Sequence, residues 1–293
     1  MKNLRTLLMS SAAVALPVAL AVAPAMAAGT VSSKATAAIN DAVGCTATGA
    51  AVDVSGNTAT VPVNCTDLFN HGAVPVTADN YAPIMDAVIK LSNSQSLFVA
   101  ASEVTGLYTN TSVTTHGNQQ STATAEGGVY LRAVACPYTG SGNTANLGYC
   151  VPFLAGPAVS TAVNFGFPGA SCPATVNLST TLGCAPGQGV VIDQRLQSLT
   201  SSVSNCIVTV GTSSGTCSFD QTISLLLDTT SAHTMNFIFP NLSVGSWVVE
   251  IQAAVNANAT VSGGSGTTAI GGAAYGLGSM TVDSVRLINS FSF

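Results

Sequence analysis

The segment of residues 232–258 alternates apolar side chains with a period of two, and this pattern constrains the fold more than any other feature. Its sequence is AHTMNFIFPNLSVGSWVVEIQAAVNAN, and every second residue from Trp247 to Val255 is apolar. A period of two places successive side chains on opposite faces of a strand. The segment therefore predicts two half-buried antiparallel strands that form a hairpin, with a break at Pro240 and with Trp247 in the core.

Similar strand-like segments follow one another along most of the chain. They occupy residues 84–91, 96–104, 127–136, 159–165, 189–196, 206–210, 219–228 and 274–289, and clusters of Gly, Pro, Ser and Asn separate them. Such punctuation is typical of strands joined by turns. About ten strands without a convincing long helix predict an all-β, two-layer antiparallel β-sandwich of jelly-roll type.

The first part of the chain is less regular. Residues 31–43 are compatible with a short helix, and ATVPVNC at residues 59–65 with a strand that ends at Cys65. We therefore expect a small disulfide-containing leader segment at residues 28–72, followed by the β-sandwich domain at residues 73–293.

The N-terminus has the pattern of a secretory signal peptide. Lys2 and Arg5 precede an apolar run at residues 7–22, and Ala25-Met26-Ala27 supplies the small residues that a signal peptidase requires. A membrane anchor is the alternative, but Ser10, Ser11 and Pro17 interrupt a run that is already short for a bilayer. We therefore predict a signal peptide at residues 1–27, cleavage near Ala27, and a protein that is secreted or at the cell surface, with the periplasm as an open alternative.

The cysteines form four successive couples along the chain: Cys45 and Cys65, Cys136 and Cys150, Cys172 and Cys184, and Cys206 and Cys217. The sequence lacks C-x-x-C and is poor in histidine, which disfavours zinc and thioredoxin-like redox sites. Export permits disulfides. We predict that neighbours pair within each couple, although many other pairings are possible. Each bridge would staple a short hairpin or surface loop.

Charged residues make up only 6% of the chain, against about 25% in ordinary soluble proteins. The formal net charge is -5, and no basic patch is present. This excludes nucleic acid as an expected partner, because phosphate binding requires basic residues. We also expect no integral membrane association of the mature chain. A surface with so few charges has little electrostatic repulsion, which favours self-association.

The closing part of the chain resembles secreted bacterial β-sandwich domains of uncharacterised function. The segments SAHTMNFIFPNL, GSWVVEIQA and GSMTVDSVRLI carry the resemblance, over a quarter to a third of the chain. It implies the sandwich fold and export, and it transfers no catalytic residue.

Two possible catalytic patterns are weak. Ser213 is the central serine of GTSSG at residues 211–215, which matches G-x-S-x-G. A nucleophile elbow requires a helix after the turn, whereas strand-like residues flank this pentad, so we predict a stapled hairpin turn. His71, His116 and His233 are widely separated and predict no shared site.

Carboxylates are few. Asp79, Asp86, Asp193 and Asp220 lie on or beside predicted strands, and nothing in the sequence selects a pair for glycosidase chemistry. No D-x-D-x-D-G run is present, and calcium at a loop stays open. Asp193 and Arg195 are two residues apart on one strand and should share a face. They form either a surface ion pair or part of a sugar site.

Aromatic residues are the usual platform for sugar binding. Four tyrosines are candidates for surface positions: Tyr81, Tyr108, Tyr130 and Tyr138.

The sequence thus predicts a secreted, non-catalytic structural protein of the cell surface or extracellular space that self-associates. The alternative is a β-sandwich module that binds a glycan or another surface ligand, and a hydrolase is the third hypothesis. We predict no cofactor, no catalytic residue and no metal ligand, and the sequence assigns no ligand-binding residue.

Overall fold

The computed structural model describes residues 34–69, 72–78, 80–116, 119–138, 151–152, 190–202, 207–210, 213–216 and 220–286. Over these residues the chain is almost entirely β-structure. The strands are β1 (Ala35–Val52), β2 (Thr58–Val61), β3 (Val74–Pro75), β4 (Ala82–Leu91), β5 (Gln95–His116), β6 (Gln120–Pro137), β7 (Val151–Pro152), β8 (Val190–Ser202), β9 (Ile207–Val210), β10 (Ser213–Thr216), β11 (Asp220–Leu242), β12 (Gly245–Ser262) and β13 (Thr268–Val285). A single turn of helix, α1 (Cys65–Leu68), follows β2.

The strands form two main sheets. Sheet I has the order β11-β5-β13-β1-β2, with β3 added to β1 in parallel. Sheet II has the order β4-β12-β6-β7, and β8 also pairs with β6. A separate two-stranded ribbon joins β9 and β10. Apart from β3, all the pairings are antiparallel, which confirms the predicted two-layer antiparallel β-sandwich.

The eight long strands are paired in the nested order of a jelly roll. β1 pairs with β13, β4 with β12, β5 with β11, and β6 with β8. The first strand therefore pairs with the last, the second with the last but one, and so on inward. This nesting places the eight strands in two four-stranded layers and confirms the predicted topology.

The hairpin predicted from residues 232–258 was wrong. β11 belongs to sheet I and β12 to sheet II, so the chain crosses between layers after Leu242. Pro240 and Asn241 form a bulge just before this crossing, where Asn241 has a φ of 52°. The side-chain alternation of each strand was read correctly, but alternation does not identify the neighbouring strand.

β12 is also buried on both faces, whereas the sequence predicted a half-buried strand. The residues from Trp247 to Asn256 are all buried, including Glu250 and Gln252 on the face that points away from the core. Trp247 is 7% exposed, and its indole Nε1 donates a hydrogen bond of 3.0 Å to the carbonyl oxygen of Ser243. The predicted core position of Trp247 is confirmed.

The leader segment predicted at residues 28–72 is not separate from the sandwich. β1 pairs with β13 from Ala35 opposite Asp283 to Ala51 opposite Thr268, and it lies inside sheet I. All the described residues belong to one compact unit. The short helix expected at residues 31–43 is a strand from Ala35 onward. Its small and polar residues are accommodated because β13 supplies hydrogen bonds along one side of the segment.

A disulfide joins Cys45 on β1 to Cys65 on α1, with a Cα–Cα distance of 5.9 Å. This is the first of the predicted neighbour pairs. Both sulfurs lie in a small apolar cluster with Phe69 on the outer face of sheet I. Cys136 is buried and disulfide-bonded as well. The other five cysteines, Cys150, Cys172, Cys184, Cys206 and Cys217, lie outside the described residues, and so does the predicted signal peptide.

In the described part of the chain, no helix has the length and hydrophobicity needed to cross a bilayer.

Candidate functional site

Asp193 and Arg195 of β8 point to the same face, as predicted, but each contacts other residues. Thr105 of β5 donates a hydrogen bond of 2.7 Å to Oδ2 of Asp193. The Arg195 guanidinium donates to the carbonyl oxygen of Leu107 at 3.3 Å and to the hydroxyl of Thr229 on β11. The pair therefore connects sheet II to sheet I, and the structure gives no support to a simple surface ion pair.

Gln197, two residues further along β8, also forms hydrogen bonds to sheet I. Its Oε1 accepts a hydrogen bond of 2.8 Å from Thr109, and its Nε2 donates bonds of 2.6 Å to Thr111 and to the carbonyl oxygen of Leu225. Gln197, Thr109 and Thr111 are buried. We call the row formed by Asp193, Arg195 and Gln197 with their partners the polar seam. It holds β8 against β5 and β11 at one edge of the sandwich.

β11 is the last strand of sheet I on this side, and in the described residues no strand pairs with its outer edge. We call residues 221–230 of β11 the edge segment. Its large apolar side chains are substantially exposed: Ile223 37%, Leu225 42%, Leu226 56% and Leu227 41%. Asp228 is its only charged residue. Long, apolar and uncharged edges are rare in monomeric proteins, because their free backbone groups pair with other chains.

The position of β8 explains this exposure. Ile223, Leu225 and Leu227 lie opposite Val113, Thr111 and Thr109 of β5, which are fully buried between the sheets. Cross-strand partners share a face, so these β11 side chains also point toward the interior. β8 packs chiefly beneath β5, however, and β11 extends beyond it. The edge segment is thus an apolar overhang.

A fully buried carboxyl group lies in the same region of sheet I. Glu103 of β5 is 0% exposed, and Asn40 of β1 donates a 3.5 Å hydrogen bond to its Oε1. Its Oε2 has no hydrogen-bond partner. A bulge in β13 makes space for the carboxyl, since a Cβ on Gly278 would overlap Oε2. Burial raises the pKa of Glu103 to about 7, against a smaller lowering by the Asn40 hydrogen bond.

His233 lies directly across from Glu103 in the β11–β5 register. Its Nε2 is 3.4 Å from Oδ2 of Asp193, without the geometry of a hydrogen bond. Sequence spacing predicted that the three histidines share no site, and it missed this association of His233 with two carboxyls from other strands. Among the described residues, no group of three or more His, Cys, Asp or Glu is arranged to hold a metal ion.

The outer face of sheet II carries a second polar cluster. Arg132 of β6 donates a 2.6 Å hydrogen bond to Gln252, which in turn donates to Glu250 at 2.9 Å. The guanidinium lies 4.2 Å from the ring centre of Tyr81. Glu250 pairs across the strands with Asp86, and burial raises the pKa of Asp86. The sequence did not indicate which carboxylates lie close together, and the structure places Asp86 and Glu250 opposite each other.

The tyrosines do not form the exposed platform that sugar stacking requires. Tyr130 is 2% exposed, and the Tyr81 hydroxyl is buried with no hydrogen-bond partner. Burial raises the pKa of Tyr81. Tyr108 and Tyr138 are partly buried. The predicted surface position is therefore wrong for Tyr130. The hydroxyl of Tyr81 is also buried and does not lie at the surface.

Ser213 lies on β10, opposite Val210 of β9. The described residues around it form two antiparallel strands, so Ser213–Gly215 belong to a strand and not to the predicted turn. This is not the strand-to-helix turn of a nucleophile elbow, and the predicted Cys206–Cys217 bridge lies outside the described residues. His116 ends β5, with Asp220 as its backbone partner. His71 and Asp79 lie outside the described residues.

A cavity of about 330 Å³ opens on the outer face of sheet I, beside α1. Its walls are mainly apolar, and two edge-segment residues, Asp228 and Thr230, stand at its margin. Two surfaces, the edge segment and this cavity, are thus adjacent on the molecule.

Comparison with known proteins gives no match: no family model, no curated protein and no solved structure is similar to the chain.

Proposed function

We propose that this protein is a secreted, non-catalytic structural protein that assembles with copies of itself through the edge segment of β11. The observation that carries the proposal is the unpaired edge of β11, on which Ile223, Leu225 and Leu227 are exposed on one face and Leu226 on the other, with Asp228 as the only charge. An edge strand of this kind accepts a further strand by backbone hydrogen bonding, and its apolar side chains lose contact with water when it does.

The edge segment is compatible with a second copy of itself. Antiparallel pairing about Leu225 would set Ile223 opposite Leu227 of the second copy, and Asp228 opposite Thr222. No two like charges then face each other, which would otherwise destabilise the pair. The chain as a whole has few charges to oppose association, at 6% of residues.

Export supports the same proposal. The basic residues, apolar run and Ala25-Met26-Ala27 site at the N-terminus are typical of a signal peptide. The disulfide between Cys45 and Cys65 is of the type that persists outside the cytosol. We expect the protein isolated from its host to begin at Ala28, which N-terminal sequencing will test.

The test of assembly compares the wild-type protein with Leu226→Lys by light scattering across a wide range of concentration, with negative-stain microscopy of the same samples. Leu226 is more than half exposed, so the lysine should leave the fold intact while its charge opposes strand pairing. We expect ordered oligomers for the wild type and monomers for the variant.

Ile39→Lys is the matched control, because Ile39 is 82% exposed on β1, away from the edge segment. It should assemble like the wild type. A wild-type protein that stays monomeric at every concentration would refute self-assembly. Equal loss of assembly in both variants would place the contact elsewhere or make it a general effect of charge.

A further inference from the structure

The cavity beside α1 is lined mainly by apolar side chains, with polar groups from Thr105, Asp228 and Thr230. Leu68 and Phe69 of the α1 segment form one side, and Val43, Ala274 and Leu277 contribute from β1 and β13. Its volume of about 330 Å³ lies at the lower end of the range of ligand sites, about 300–1,000 Å³. It therefore suits a small molecule with an apolar body.

Gly106 in the cavity wall and Gly272 beside it leave space for the Phe69 ring. A Cβ on Gly106 would lie 3.0 Å from the ring of Phe69, and one on Gly272 would lie 3.2 Å from it. Because glycine has no Cβ atom, the Phe69 ring can approach the sheet backbone at these two positions. Leu277, which also lines the cavity, has a φ of 57°, and its side chain is 51% exposed. The backbone of Leu277 is thus in the left-handed region, which is unfavourable for leucine, and its apolar side chain is exposed to solvent. Core packing does not explain this conformation, which is typical of a functional position.

The one charged group of the cavity is the carboxylate of Asp228. In the described residues it forms no ion pair and accepts no hydrogen bond. The nearby Arg195 is directed to Thr229, on the opposite face of β11. An apolar cavity with one unpaired carboxylate at its margin is complementary to a ligand that is apolar and positively charged, because partial desolvation strengthens the attraction.

We infer that this cavity binds a small organic cation, with the apolar body against Phe69 and Leu277 and the ammonium group at Asp228. The inference does not require self-association, since the cavity is complete in one chain, and Asp228 and Thr230 belong both to its margin and to the edge segment. The ammonium has two possible sources, a free amine or the lysine side chain of a partner.

The experiment measures binding of benzylamine to the purified protein by calorimetry, with benzyl alcohol as its neutral counterpart. We expect benzylamine to bind about tenfold more tightly, as a charge-assisted contact predicts. Asp228→Asn should remove that difference and leave the weak binding of the alcohol unchanged. Asp283→Asn, a carboxylate on β13 away from the cavity, is the matched control and should bind like the wild type.

Thr230→Trp is the second variant, because Thr230 is exposed at the cavity margin and a tryptophan there would fill the entrance. It should abolish binding of both compounds while circular dichroism stays unchanged. Nα-acetyl-lysinamide binding as tightly as benzylamine would support the cation site and identify lysine as a source.

Equal binding of the amine and the alcohol, no effect of Asp228→Asn, or no binding at all would overturn the inference. Preferential binding of a methyl glycoside would overturn it in favour of a sugar site.

Discussion

The side-chain amide of Gln197 on β8 donates a hydrogen bond of 2.6 Å to the backbone carbonyl oxygen of Leu225 on β11. This bond joins the edge strands of the two sheets, so the geometry of the exposed overhang depends on a buried polar residue of the opposite layer. The same amide also contacts Thr109 and Thr111. Gln197 therefore links the stability of the sandwich to the position of the surface that we propose for assembly.

Replacing Gln197 with leucine should destabilise the fold by about 2–3 kcal/mol, because Thr109 and Thr111 would be left buried without their partner. Urea denaturation followed by circular dichroism measures this change. Gln194→Leu is the control on the same strand, since Gln194 makes a single 3.0 Å bond to Glu126 and is partly exposed. A loss below about 1 kcal/mol for Gln197→Leu would show that the seam contributes little.

Glu103 should make stability depend on pH. Its pKa is about 7 in the folded protein, above the ordinary value of 4.5, so the fold retains a proton that the unfolded chain releases. The stabilisation is complete below pH 4.5 and is lost as the pH rises through 7. Across that interval we expect a loss of about 3 kcal/mol.

Glu103→Gln should remove this dependence and be more stable than the wild type at pH 8. Urea denaturation at several pH values tests it. Tyr275, His233 and Asp193 lie on the strands around Glu103, and all three are retained in the variant. Parallel pH profiles for the two proteins would contradict the assignment to Glu103.

Removal of the Cys45–Cys65 disulfide should destabilise the protein by about 3 kcal/mol, because the bridge closes a loop with a sequence separation of 20 residues. The double variant Cys45→Ala and Cys65→Ala avoids an unpaired thiol. Its free energy of unfolding, measured in urea without reductant, is compared with that of the wild type. A difference near zero would mean that the β1–β13 ladder alone holds this part of the chain.

The two sheets approach closely at glycine residues of β6 and β13. A Cβ on Gly127 of β6 would overlap the carbonyl oxygen of Gly272 on β13, which is backbone and cannot rotate away. Gly127→Ala should therefore destabilise the fold by about 1–3 kcal/mol, or more if the layers must separate. Thermal unfolding measures the effect, and Thr124→Ala on the exposed face of β6 is the control. An unchanged melting temperature for Gly127→Ala would show that the contact is loose.

The local order of the chain could be predicted where the responsible interactions are local. Period-two alternation identified the strands around Trp247, and the short spacing of Cys45 and Cys65 identified their bridge. The same alternation predicted that Asp193 and Arg195 lie on one face of their strand. Each of these features follows from backbone geometry within a few residues or from a short loop.

The tertiary structure decided which strands are neighbours and which side chains meet. β1 pairs with β13, more than two hundred residues away, which is why a segment that resembled a leader is part of the sandwich. Thr105, Asp193 and His233 meet from three strands for the same reason. The residue pattern alone specifies the β-character, the faces of the strands and the scarcity of charge. Only the packing of two layers determined the jelly-roll order, the burial of Glu103 and the exposure of β11, because alternation specifies the side of a strand and not its partner.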